Sequence, residues 1–160
     1  MKVLIAGMGN ELRGDDGFGV AVTRLLEGRQ LGAEVTIKEF GIGGVHLVQE
    51  LLSGYDGLLI VDAVDRGSQP GTVHLLEPEV PDIPSLPLEQ RRDFLADTHW
   101  ADPGRVLILA KALGVLPPKV LILGCQPEEM EELSLVLSPA VEGALPAALK
   151  ALDMALERLL

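Results

Sequence analysis

"VLIAGMGNELRGDDGFG", residues 3–19, decides the fold. Val3 to Ala6 is short, apolar and rich in β-branched residues, which reads as a buried strand. It runs into glycines. From Asp15 the period changes, with Phe18, Val22, Leu25 and Leu26 about one helical turn apart and Gly28 as a plausible stop. Strand, glycine turn, helix is the opening of a βαβ unit and commonly marks a phosphate site. Here the helix begins with two acids, Asp15 and Asp16, which repel phosphate. "GMGNEL" also has Leu12 where a dinucleotide fingerprint needs its third glycine, and no G-K-[ST] follows, so a P-loop is excluded.

The same alternation continues. Glu34–Phe40 reads as a less buried strand, Gly43–Leu52 as a helix and Gly57–Ala63 as a fully buried strand. Thr72–Leu76 follows too closely for a crossover helix, so an antiparallel strand is expected there. Ala101–Leu113 reads as a helix and Lys119–Gly124 as a third buried strand. Ser138–Leu160 reads as a terminal helix that Pro146 kinks or restarts. Residues 77–98 carry four prolines and read as a long irregular loop, a common home for function. The expected fold is α/β: one domain over residues 1–160, with three layers and a twisted, mostly parallel five-stranded sheet flanked by helices on both faces.

Composition limits the function. Apolar residues make up 48% of the 160, aromatic residues only 3%, and the formal net charge is −11. Such a surface argues against nucleic acid and anionic membranes as partners. Cys125 is the only cysteine, which rules out an internal disulfide and points to a cytoplasmic setting. At the end of an apolar strand it reads as a core residue rather than a nucleophile.

In parallel sheets ligands bind beyond the carboxyl ends of the strands. The polar residues there are Gly9, Asn10, Asp15 and Asp16 after the first strand, Asp62 at the end of "GLLIVDA", and Cys125 and Gln126 after the last. The Pro-rich loop delivers Asp97, His99 and Trp100. One acid of the pair suffices to cap the helix, and Asp15 is assigned that role or that of orienting the residues around the site, leaving Asp16 free. Asp62, after four apolar residues, needs a partner or a cation. His46 and His74 fall inside a helix and a strand and rank lower. Asp16, Asp62 and His99 would suit a catalytic divalent cation with an open position for water.

"GMGNELRGDDGFG", "LLIVDAV", "THW" and "LGCQPEEMEELSLVLSPAVEGALPAAL" together resemble the nickel–iron hydrogenase maturation endopeptidases, in order and over nearly the whole chain. The resemblance implies removal of a C-terminal extension from the hydrogenase large-subunit precursor once nickel is inserted. It also implies that Asp16, Asp62 and His99 are the catalytic, metal-binding residues and that no organic cofactor is used. The metal would be nickel carried by the precursor, or alternatively the protein's own. A non-catalytic metal-binding or chaperone module of hydrogenase assembly is the other reading. Family members often carry an Asp and a Thr at the second glycine turn, where this chain reads Phe40-Gly41-Ile42-Gly43-Gly44.

Overall fold

The computed structural model describes residues 1–96 and 102–160. Five strands form one sheet: β1 (Val3–Met8), β2 (Val35–Gly41), β3 (Gly57–Ala63), β4 (Val73–Leu76) and β5 (Lys119–Cys125), in the order β2-β1-β3-β5-β4. The first three and β5 run parallel, and β4 pairs antiparallel with β5 at the edge. The proximity of β4 to β3 in the sequence led to that expectation.

Strand alternation builds two cores. Val3 and Ile5 of β1, with Leu59 and Val61 of β3, face α1 (Phe18–Leu25) and α6 (Leu145–Leu159). Leu4, Ala6 and Met8, with Leu58 and Ile60, face α2 (Gly44–Leu51) and α4 (Pro103–Ala112). Because the central strands are buried on both sides, they read as unbroken apolar runs. Edge strand β2 is only partly buried, as its alternating sequence implied. No helix among the described residues is long and apolar enough to cross a membrane.

Two local expectations are corrected, and the restart of the terminal helix at Pro146 is borne out. The first helix opens as a tight 3-10 turn over Gly14–Gly17 before α1 begins at Phe18. The segment 77–98 is not all irregular: a 3-10 turn over Ile83–Ser85 precedes α3 (Leu88–Ala96). Its prolines all lie at or before Pro87, and "LEQRRDFLA" is built from strong helix formers with little apolar periodicity to announce it. The terminal helix divides at Ala144 into α5 (Pro139–Gly143) and α6, so Pro146 sits in the first turn of a restarted helix, where its missing N–H costs nothing.

Candidate active site

β1 lies between β2 and β3, so the chain leaves it toward one side and returns on the other. The crevice at the carboxyl ends of β1 and β3 is the switch point where such sheets bind ligands. Asp16 and Asp62 meet there. Asp16 lies in the 3-10 turn just after β1, half-buried, and its Oδ2 accepts the Asn10 N–H at 3.0 Å. The Asn10 side chain accepts the Leu12 N–H at 3.0 Å, which fixes the turn. Gly9, with φ +105°, separates the two acids. A Cβ there would lie 1.9 Å from the Asp16 carbonyl oxygen and 3.1 Å from Asp62 Oδ1. Only glycine permits that approach.

Asp62 is 4% exposed and, among the described residues, receives one hydrogen bond, from the Ala63 N–H at 2.8 Å. Burial pushes its carboxyl well above the usual carboxylate range, the charge of Asp16 adds to this, and Asp102 adds less, against the pull of the Ala63 N–H. Asp102 caps α4 through the Gly104 N–H at 3.0 Å. A buried carboxyl under like charges holds a proton or a cation. The donor set therefore fits a hard or borderline divalent metal. Among the described residues no three His, Cys, Asp or Glu side chains are grouped to hold an ion. Two of the three expected ligands converge, and the third, His99, lies outside the described residues, as do Asp97 and Trp100.

Asp15 does not cap the helix. Neither the 3-10 turn nor α1 has a side-chain cap. Its fully buried carboxylate instead crosses to the segment after β5. Oδ2 accepts the N–H groups of Glu128 and Glu129 at 2.8 and 3.1 Å and the Ser138 hydroxyl at 2.9 Å, and Oδ1 accepts the Ser138 N–H at 2.7 Å. Burial opposes its charge, but these donors outweigh burial and hold the carboxyl below its ordinary range. Asp15→Asn removes the charge and turns one acceptor into a donor facing donors. It is expected to cost about 2–4 kcal/mol. The sign follows from the lowered value: Asp15 stabilises above its unfolded pKa of about 3.9 and ceases to as pH falls through its folded value. Thermal melts should therefore show the widest gap between wild type and variant near neutral pH, narrowing below about pH 4.

The remaining strand-end residues are structural. Cys125 is fully buried, and burial, with a smaller contribution from Asp15, pushes its thiol up to about 11, so it is neither a thiolate nor exposed. Gln126 ties down the loop after β3, accepting the Arg66 and Ser68 N–H groups at 2.7 and 3.2 Å and donating to Asp65 at 2.9 Å. His74 pairs with the Ser68 hydroxyl at 3.2 Å, and His46 is exposed on α2.

Beside the acids, Gly9, Asn10, Leu12, Phe40, Gly41 and Ile42 line an open groove of about 460 Å³. The Gly9 N–H donates to the Gly41 carbonyl at 2.9 Å, so the two glycine turns are joined. Arg24 bridges the rim, bonding Glu11 at 2.8 Å and Glu39 at 3.0 Å.

Comparison with known proteins gives a consistent result. Residues 20–154 match the family described as hydrogenase maturation protease. The hydrogenase expression/formation protein HupD of Rhizobium leguminosarum bv. viciae is 33% identical over 150 residues, 93% of this chain and 71% of that protein. The hydrogenase 2 maturation protease of Escherichia coli is 31% identical over 153 residues, 94% of this chain and 87% of that one. The solved structure of the hydrogenase maturating endopeptidase HybD from E. coli superposes with a TM-score of 0.79 at 30% identity, covering 99% of this chain and 93% of that one.

Proposed function

Because the chain belongs to the hydrogenase maturation protease family, we propose that it is the endopeptidase that removes the C-terminal extension of a nickel-loaded nickel–iron hydrogenase large-subunit precursor. The observation that carries this reading is the buried Asp62 beside Asp16 in the switch-point crevice, with the peptide-sized groove alongside.

The proposed chemistry starts from the carboxylates. Asp62, desolvated and repelled by Asp16, gains more from a cation than an exposed acid would. Asp16, oriented by the Asn10 N–H, offers its remaining lone pairs to the same cation. His99, three residues before Asp102 in the sequence, supplies the imidazole, and Asp102 is near enough for its charge to act on Asp62. Nickel seated in the precursor brings the scissile carbonyl with it, which makes recognition and positioning one event. Its Lewis acidity polarises that carbonyl or activates a water. The water oxygen bonds the carbonyl carbon, the C–N bond breaks, and the departing amine takes a proton from that water, leaving a new C-terminal carboxyl group. The groove beside Gly9 and Gly41 accommodates the extended chain next to the cleaved bond. A cytoplasmic setting fits the lone buried Cys125.

Asp16→Asn keeps an oxygen for the Asn10 N–H, so its stability should stay within about 1 kcal/mol of wild type. Its processing rate should fall further than that of Asp15→Asn, whose loss is chiefly stability. Cys125→Ala should keep cleavage within about tenfold, or roughly 1.4 kcal/mol of barrier. A loss of several orders of magnitude in folded Cys125→Ala protein would overturn the metal-based mechanism.

The deciding assay is the intact mass of the large subunit after incubation of nickel-loaded precursor with purified protein. Loss of one C-terminal peptide is the expected result. Binding without cleavage would assign the chain to a non-catalytic assembly module instead.

A further inference from the structure

Residues 128–136 follow β5 without regular structure, yet they are held firmly. Asp15 grips the segment at both ends, through Glu128 and Glu129 on one side and Ser138 on the other. In the middle, Ser134 forms a bridge with Arg13: its N–H donates to the Leu12 carbonyl at 2.9 Å, and its carbonyl accepts the Gly14 N–H at 2.9 Å. Asp15 N–H adds a bond to the Glu129 carbonyl at 3.0 Å. Gly14, with φ +59°, allows this, since a Cβ there would lie 2.9 Å from the Glu129 oxygen.

That network presents three apolar side chains to water. Leu133 is 85% exposed, Leu135 76% and Val136 69%, and Leu12, on the adjoining turn, is 50% exposed. Apolar residues held out rigidly in a cluster mark a binding surface more than solvated loop tips do, because the ordering cost has already been met in the free protein. Charge narrows the occupant. Glu128, Glu129, Glu131 and Glu132 are all exposed around the cluster, and among the described residues only Arg13 pairs with one of them, Glu131, at 3.3 Å. Two copies meeting through this surface would bring like charges together, and an anionic membrane would repel it. A protein surface with an apolar centre and a Lys/Arg rim is complementary to it.

We infer that residues 128–136 are the docking site for the folded body of the precursor, contacting an apolar patch ringed by basic residues beside the point where the extension leaves. The inference rests on the proposed function for the partner's identity. Because Ser134 is bonded to the same turn that carries Asp16, a body docked on Leu133, Leu135 and Val136 is held in register with the two carboxylates.

The test uses the triple variant Leu133→Ser/Leu135→Ser/Val136→Ser and the charge variant Glu131→Lys/Glu132→Lys in the full chain. KM and kcat are measured on nickel-loaded precursor, and Kd by biolayer interferometry with immobilised precursor. The triple variant should raise KM and Kd by about tenfold or more and leave kcat within about twofold. The charge variant should slow association and flatten its salt dependence. Since these side chains lie in water, melting should barely change. If the triple variant melts early, the Leu135→Ser single variant and the charge variant carry the test. Unchanged KM and Kd would overturn the docking site, as would a wild-type dimer that the triple variant makes monomeric. Wild-type protein that binds through this surface without cleaving would leave docking intact and end the protease reading. Wild-type protein that neither binds nor cleaves would end both.

Discussion

Asp62→Asn is expected to raise the melting temperature of the purified protein while lowering precursor processing by about a thousandfold or more. The two effects share one cause. Asp62 is nearly fully buried, takes a single hydrogen bond among the described residues, from Ala63, and faces Asp16 and, more weakly, Asp102. An amide keeps the shape and the acceptor for the Ala63 N–H but removes the desolvated charge. Relief of that charge should be worth about 1–2 kcal/mol, or about 2–8 °C for a chain of this size. The pH dependence fixes the sign. Because the folded-state value is raised, the folded protein holds the Asp62 proton more tightly than the unfolded chain does. Wild-type stability from this group therefore falls as pH rises above the unfolded value of about 3.9, and the advantage of Asp62→Asn grows in the same direction. The activity loss is the counterpart: a neutral amide is a poor ligand, and removing one cation-positioning carboxylate costs roughly 4 kcal/mol of barrier. Calorimetric melts in chelator at pH 4 and pH 7, beside processing assays, check both halves. A destabilised or fully active Asp62→Asn protein would contradict the assignment of Asp62 as a strained functional acid.

Gly19→Ala should be among the most damaging single substitutions in the chain. Gly19 lies in α1, where the helix crosses the ends of β1 and β3. A Cβ would lie 2.1 Å from the Val61 carbonyl oxygen and 2.3 Å from that of Met8. Both neighbours are backbone in central strands, so no side chain can move aside and α1 must lift. With Phe18, Val22 and Leu26 all in the core beneath it, the expected cost exceeds about 4 kcal/mol, a large share of a typical domain's 5–15 kcal/mol. Gly143→Ala is the control. It ends α5 with nothing within 4 Å of its Cβ position, so it should be neutral or stabilising by up to about 1 kcal/mol. Denaturant melts of the two variants test the contrast. Equal stabilities would mean that α1 does not pack as closely as described.

The sheet was legible where strands are buried on both faces. Gly57–Ala63 runs to the boundaries expected, because the apolar run Leu58–Val61, opened by Gly57 and closed by Asp62, leaves little choice. The helix over Leu88–Ala96 was hidden, because nearby prolines read as loop and its apolar periodicity is weak. Asp16 and Asp62 were legible because Asp62 is the acid near the end of an apolar strand and Asp16 lies in the turn after another, and the strand order then brings them together. Asp15 was misread for a physical reason. Among the described residues its carboxylate's partners all lie 113 to 123 residues away, so the local sequence showed only an acid at a helix start. The Ser138-Pro139 pair was the one remote hint: Ser138 caps α5 and also bonds Asp15. Asp102 was overlooked, although an Asp before Pro103 is a recognisable helix cap.

The central claim is that Asp16 and Asp62 act on a metal that arrives with the substrate. The most direct measurement sets nickel-loaded against nickel-free precursor, each incubated with metal-free protein, and follows the mass of the large subunit. The account predicts that the loaded form alone loses its C-terminal peptide, and that Asp16→Asn and Asp62→Asn abolish the loss. Equal processing of both forms, or full processing by either variant, would contradict it.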